Sequence, residues 1–299
     1  AYANAGFASN ITSYQPYGNS VYHGWANQLT RRFNNGLQFI GSYTWSHAID
    51  DSTADVFSTV TTPRRPMDSQ NLRQDRSSSA LDHRNRLSFE MLFDVPYFKH
   101  SNWFLKNIVC NWELAPIYTY QTGNYFTVQS HIDANLNGDV WPDRAIVNPN
   151  GGDPGMGSGV TPVCSGPTAP ACPATGASAV TVGYVVDNPN ARYAEAPRGT
   201  ISNGGRNTAM FNPIDDIDVT AAKRFNFTER ASVEFSARLF NVLNHPQYVG
   251  GNISDVAPAG FTGGNNVLAA EPQNSLFYQL SQVYSSNPRS MVLALKFIF

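Results

Sequence analysis

Charge is scarce in this 299-residue chain: 14% of residues are Asp, Glu, Lys or Arg, against roughly 25% in an ordinary soluble protein. With 20 basic and 22 acidic residues the net charge is −2, so nucleic acid has no electrostatic claim as a partner. So few charges also argue against a helical bundle, a coiled coil or a charged disordered tail. No run of 18 apolar residues occurs, which excludes a spanning helix. It does not exclude a membrane β-barrel, whose strands are short and apolar on one side only. An initiator Met and a signal peptide are also missing, since the chain opens at Ala1. The start reads as a cut, at a processed terminus or inside something longer.

Chemistry-bearing motifs are equally thin. The six histidines (His23, His47, His83, His100, His131 and His245) show no HxxxH or HExxH spacing, so a zinc or haem site has no support. There is no GxSxG elbow, no phosphate-cradling glycine loop, and no nucleophile beside an obvious base. No enzyme is read here. Cysteine is limited to three residues. Cys110 falls on the apolar side of an alternating segment and reads as a small hydrophobe.

What is abundant is aromatic residues, at 12%, together with 23 Gly and 19 Pro. That mixture suits many strands joined by long polar loops. Alternation predicts seven strands, near 20–33, 37–46, 83–96, 107–122, 212–225, 229–242 and 289–299. Leu87, Phe89, Met91, Phe93 and Val95 oppose Arg84, Arg86, Ser88, Glu90 and Asp94. Val233, Phe235, Ala237 and Leu239 oppose Ser232, Glu234, Ser236 and Arg238. Met291, Leu293, Leu295, Phe297 and Phe299 form the apolar side of the last segment.

Such a pattern fits two architectures. One is a soluble sandwich, whose apolar faces pack sheet on sheet; a secreted adhesion or glycan-binding module would look like this. The other is a transmembrane barrel with a lipid-facing band and a wet lumen. Three features favour the barrel. Charges of both signs keep to the polar faces, Lys223 excepted, and it sits near a strand end where it could snorkel. Aromatics such as Tyr43, Trp45, Tyr118, Tyr120, Phe225 and Phe297 cluster near strand ends, as interfacial girdles do. Short links (34–36, 97–106, 226–228) alternate strictly with long ones (47–82, 123–211, 243–288), matching periplasmic turns and extracellular loops. The expected fold is therefore an antiparallel transmembrane β-barrel segment of about seven or eight strands. Seven cannot close alone in lipid, so a larger barrel is implied.

Ordered motifs point the same way. Tyr43-Thr44-Trp45-Ser46-His47-Ala48-Ile49-Asp50 resembles the SYTWSKSID signature of TonB-dependent outer-membrane receptors, in particular the Oar-like branch with a carboxypeptidase-regulatory-like domain. In the family's order there follow Leu81-Asp82-His83-Arg84-Asn85-Arg86-Leu87, Asn111-Trp112, Thr122-Gly123 and Gly205-Arg206-Asn207. Phe240-Asn241-Val242-Leu243-Asn244-His245-Pro246 and Asn287-Pro288-Arg289 complete the set. The resemblance implies the C-terminal part of a 22-stranded barrel over residues 1–299, with the plug domain outside the chain. It implies residence in the outer membrane of a Gram-negative bacterium and energised uptake of a large or scarce substrate. The implied partners are outer-membrane lipid and lipopolysaccharide, the barrel assembly machinery, and the TonB complex acting through the plug. Phe297 and Phe299 would carry the assembly signal, although any amphipathic last strand could end this way.

Several loop features remain open. Asp133, Asn135, Asn137 and Asp139, with Gly138 at position 6 and Asp143 behind, resemble the first half of a calcium loop. Arg144 stands where the usual bidentate Glu would be, so an Asn/Gly-rich turn fits as well. Calcium there would be structural, and no cofactor is required. Cys164 and Cys172 bracket a short Pro-rich segment as either a disulfide or two thiols. Trp141, Tyr184 and Tyr193 are candidate substrate contacts. Arg64, Arg65, Arg73 and Arg76 make the first long loop basic, as a solvated segment or a contact for lipopolysaccharide phosphates.

Overall fold

The computed structural model describes residues 15–53, 65–95, 104, 108–138, 143–165, 180–228, 231–247, 271–283 and 287–299. One antiparallel sheet forms a wall. Its strands are β1 (Ser20–Asn34), β2 (Leu37–Asp50), β4 (Asn85–Asp94), β5 (Trp112–Gln121), β13 (Ile214–Asn226), β14 (Ser232–Phe240) and β15 (Ser290–Ile298). They lie in that order, and the short β3 (Ser77–Ser78) pairs onto the end of β2. The alternating segments all fall in this sheet. The fourth strand starts later than its alternation suggests, because Asn111 takes a left-handed conformation (φ 61°) and turns the chain before Trp112. At the β1–β2 hairpin, Asn35 and Gly36 both have positive φ (53° and 77°). That is the Asn-Gly geometry whose twist matches the paired strands.

Register keeps like side chains together across the wall. Tyr43 faces Leu87, Leu87 faces Tyr120, and Phe89 faces Tyr118. Tyr118 faces Ile217, Val219 faces Leu239, and Leu239 faces Met291. The opposite side runs through Thr44 and Arg86, Ser88 and Thr119, Thr220 and Arg238, and Glu234 and Lys296. Arg224 and Glu234 pair there at 2.6 Å. The apolar face is bare: Met291, Leu293, Leu295 and Phe297 are each more than half exposed. Among the described residues no second sheet packs upon it in the manner of a sandwich.

Charges on the apolar face stand near strand ends. Besides Lys223, β1 places Arg31 opposite Phe39, close to the hairpin, and β13 places Asp215 opposite Tyr120 at the other end. Lys223 does not snorkel outward. It is 3% exposed, and its ammonium donates to the carbonyls of Ile108 (3.1 Å) and Cys110, 5.1 Å from the Trp112 ring centroid. The positive-φ turn at Asn111 sets Ile108 and Cys110 outside the strand, and the lysine takes their carbonyls.

The 123–211 link is a folded layer of its own. It contains β6 (Tyr125–Phe126), β7 (Ile146–Val147), β8 (Asp153–Ser158), β9 (Val160–Ser165), β10 (Val180–Val186), β11 (Ala191–Ala194) and β12 (Ala209–Met210). These make small sheets, β12 with β6, β9 with β10, and β11 between β7 and β8. The buried apolar cluster of the described residues lies here. Phe126 stacks on Phe211 at 4.3 Å between centroids, and Phe277 from the 243–288 link meets Tyr193 edge-on at 6.0 Å. Gly123 admits the chain to this layer, since a Cβ there would collide with the Phe211 carbonyl.

Candidate functional site: the loop rim and its buried ion pairs

The motif residues, Asn111-Trp112 at the opposite end of β5 excepted, converge where the wall meets the loop layer. From β2, Tyr43 Oη donates to Asn85 Oδ1 (2.8 Å) and Ser46 Oγ to the His83 carbonyl (2.9 Å). Asp82, 1% exposed, accepts the Ala48 N–H at 2.8 Å and pairs with Arg84 at 3.0 Å. His83 Nδ1 lies 3.0 Å from the Thr122 carbonyl, which can only accept, so the proton sits on Nδ1. Nε2 then accepts from Gln121 Nε2 at 3.2 Å. The 81–87 motif thus ties the ends of β2, β4 and β5 together.

Asn241 does the same for the other half of the wall. It is 2% exposed, with φ 50°, and its amide donates to the carbonyls of His245 and Asn287, both at 2.9 Å. Its Oδ1 accepts from the His245 N–H, and Asn244 Oδ1 accepts from Arg289 N–H, each at 3.0 Å. Gln247 exchanges hydrogen bonds with both backbone groups of Asp215. This motif, with Gln247 just beyond it, therefore fixes the end of β14 and the starts of β15 and β13.

Two buried arginines clamp the loops. Arg206, 3% exposed, pairs with Asp50, donates to the Asp50 carbonyl at 2.7 Å, and donates through Nε to the Asp75 carbonyl at 2.8 Å. Arg144, also 3% exposed, pairs with Asp75 and donates to the Gln74 carbonyl at 3.1 Å. Burial, with Arg206 close by, brings Arg144 down to about 10, so it remains charged at neutral pH. Asn207 adds a bond from its amide to the Ser78 carbonyl at 2.9 Å and an exchange with Thr127 at 3.0 Å. Asp50 and Arg206 belong to motifs of the resemblance, which is the signal that singles them out. Asp75 and Arg144 belong to none, and nothing in the sequence marks them.

The other expected site residues scatter. Tyr193 is 7% exposed and sits in the loop-layer core, whereas Tyr184 is 40% exposed on β10. Trp141, Asp139, Cys172 and Arg64 lie outside the described residues. Cys164 is buried on β9 with Sγ 3.6 Å from Thr181 Oγ1. Asp133 Oδ2 accepts from the Gly138 N–H (3.1 Å), Asn135 Oδ1 from Asn137 (3.0 Å), and Asp143 Oδ2 from Ala134 (2.6 Å). Those are turn-closing bonds. Among the described residues no group of three or more His, Cys, Asp or Glu side chains could hold a metal ion. Arg76 pairs with Asp51 at 3.3 Å. Phe297 faces Val233, and Phe299 is fully exposed.

A second titratable group joins two links. His131 Nδ1 lies 2.9 Å from Glu271, and burial raises the Glu195 carboxyl, with Asp187 and Glu271 adding repulsion.

Removing one partner of a buried ion pair strands the other, at a cost of about 3–5 kcal/mol. Arg206→Ala is therefore expected to loosen 65–82 and 122–213 together, seen as faster amide exchange in both, while strand protection in the wall persists. Arg206→Lys should not restore protection, because an ammonium cannot span both aspartates. A carboxyl whose folded value is raised destabilises the fold when ionised, and that penalty disappears as pH falls through the raised value. Glu195→Gln should therefore slow exchange in 187–196 at neutral pH and lose its advantage in acid. Equal exchange at both pH values would refute this.

A family model described as an outer membrane beta barrel domain matches residues 2–274. No curated protein and no solved structure matches the chain. The family match covers the wall strands from β1 to β14 and the loop layer between them, the same parts in which register divides apolar from charged side chains. The chain belongs to the outer membrane beta barrel domain family, which implies a place in the outer membrane of Gram-negative bacteria.

Proposed function

We propose that this chain is wall and outer loops of a TonB-dependent receptor, serving energised uptake of a large or scarce substrate. The observation that carries the reading is the convergence on one rim of the ordered TonB-receptor-like motifs other than Asn111-Trp112. Asp50, Asp82, Arg206 and Asn241 each lock a strand end to a loop there. On this reading the long-loop side is extracellular and the β1–β2 hairpin periplasmic. The two edges, β1 and β15, pair with further strands of a barrel of about 22. A plug domain inside that barrel would transmit force from the TonB complex, and Phe297 and Phe299 would present the last strand to the assembly machinery. Exposed basic residues such as Arg73 would meet lipopolysaccharide phosphates. Cys164 and Cys172 would form a disulfide, permitted outside the cell.

The test is uptake. Cells whose growth depends on the substrate of the full-length protein should lose that growth when either the receptor gene or TonB is deleted. Growth that needs the receptor but not TonB would leave an outer-membrane protein and remove the energised step. Recovery of the protein in the soluble fraction without detergent would favour a secreted β-rich adhesion instead.

Structural calcium in the 133–143 turn is part of the same proposal. It is supported by Asp133 Oδ1, which is buried without a hydrogen-bond partner. Calorimetry on the detergent-extracted protein should show a millimolar or tighter calcium site that Asp133→Asn removes. No heat at millimolar calcium would reduce the loop to an Asx-stabilised turn.

A further inference from the structure

Between the 67–74 segment of one link and the 134–137, 143–144 and 200–202 segments of the next lies a cleft of about 330 Å³. That is the small end of the range for ligand sites, roughly 300–1,000 Å³. Amides and hydroxyls from Ser69, Gln70, Gln74, Asn137, Thr200 and Ser202 line it, and they share the surface with carbon in similar measure. The charged residues of the lining are engaged within the loops, although Asp68 stays partly exposed. Asp68 Oδ1 accepts from the Gln70 N–H at 2.8 Å, and Asp143 Oδ2 from the Ala134 and Asn135 N–H groups at 2.6 and 3.3 Å. The Arg144 guanidinium is buried against Asp75 and the Gln74 carbonyl. Ile201, 80% exposed, offers one aliphatic surface at the cleft.

We propose that this cleft binds a neutral polyhydroxylated ligand, the end of a short uncharged oligosaccharide. The proposal deepens the receptor reading and rests on it. An anionic ligand would call for an exposed guanidinium or ammonium in the lining, and the cation among the described lining residues is buried. An apolar ligand would call for the aliphatic and aromatic walls usual in such pockets; here Met67, Ala134 and Ile201 are the apolar lining. Peptides are taken up along strand edges or in pockets for apolar side chains. None of the described lining residues lies in a strand. A sugar ring presents hydroxyls around its rim and C–H groups on its faces, which matches amides and hydroxyls beside one exposed isoleucine. The cleft exists because Arg144 holds the two segments together, so it is preformed and spends little ordering entropy on binding.

The test is calorimetry on the full-length protein in detergent, with neutral gluco-, galacto-, manno- and xylo-configured trisaccharides, trigalacturonate and trialanine as probes. At least one neutral trisaccharide is expected to bind. Ile201→Arg, an exposed substitution that fills the cleft with a charged chain, should weaken that binding tenfold or more; Gln70→Ala should weaken it less. Folding of both variants is read from the heat-dependent gel mobility of the barrel. Preferred binding of trigalacturonate or trialanine would overturn the proposal. So would neutral binding unchanged by Ile201→Arg, or no binding by any probe, with the barrel folded in each case. A variant or parent without the barrel's heat-dependent mobility would count against the receptor reading itself.

Discussion

A strand that alternates apolar and charged side chains has to pair in phase with its neighbours, because a slip of one residue would turn every side chain to the opposite face. The wall depends on that constraint. Glu234 is held opposite Lys296 and Leu239 opposite Met291 by the same ladder, so one shift would put both Glu234 and Lys296 into lipid. Lipid and a wet lumen are therefore both served by a single choice of register, without any packed interior. This is why large apolar side chains such as Leu293 and Leu295 can stand more than half exposed in a stable sheet. The hydrocarbon of the bilayer takes the place of a core.

Since the wall has no core to anchor them, the long links must hold themselves together. They do so in two ways that differ in physical kind. The Phe126–Phe211 stack and the neighbouring Tyr193 and Phe277 bury apolar surface within the layer, worth roughly 1.5–3 kcal/mol for each large side chain. Arg206 and Arg144 then attach the layer to Asp50 and Asp75. Buried ion pairs add little net stability relative to an apolar filling, but they are intolerant of misplacement. Their contribution here is geometric: they set which loop lies against which.

The wall was legible because its signal is local. Alternation within a strand needs no knowledge of partners, and Asn-Gly at the β1–β2 hairpin declares itself in two residues. In the 83–96 segment, which forms β4 over Asn85–Asp94, the two faces were separable from the sequence alone. In β1 they were not, because His23, Asn27 and Arg31 interrupt Val21, Trp25, Leu29 and Phe33, and only pairing with β2 assigns the side. The loop layer was illegible for the opposite reason. Arg206 and Asp50 are 156 residues apart and Arg144 and Asp75 are 69 apart, and neither pair has a spacing that periodicity can find. Tyr193 shows the cost. An aromatic in a polar stretch reads as exposed, yet Phe277, more than eighty positions along the chain, covers its ring. Asp82 and Asn241 fall between these cases, being marked by motif and explained only by the hydrogen bonds they make.

The same division separates what lipid demands of the chain from what a ligand would. The edges β1 and β15 carry backbone groups that a bilayer cannot satisfy, so within lipid each edge has to be paired. The loop layer makes no such demand. Among the described residues, its hydrophobic cluster, its ion pairs and its cleft draw on the links rather than on the wall strands, Asp50 at the end of β2 excepted. Barrel size and loop chemistry are therefore set by different residues. A sequence can change Ser69, Gln70 or Ile201 without disturbing register, whereas Asp50, Arg206 and Asn241 bind strand ends and loops at once. Selection on ligand would then act on the first group and selection on folding on the second. That is the separation expected of a scaffold whose outer surface is free to specialise.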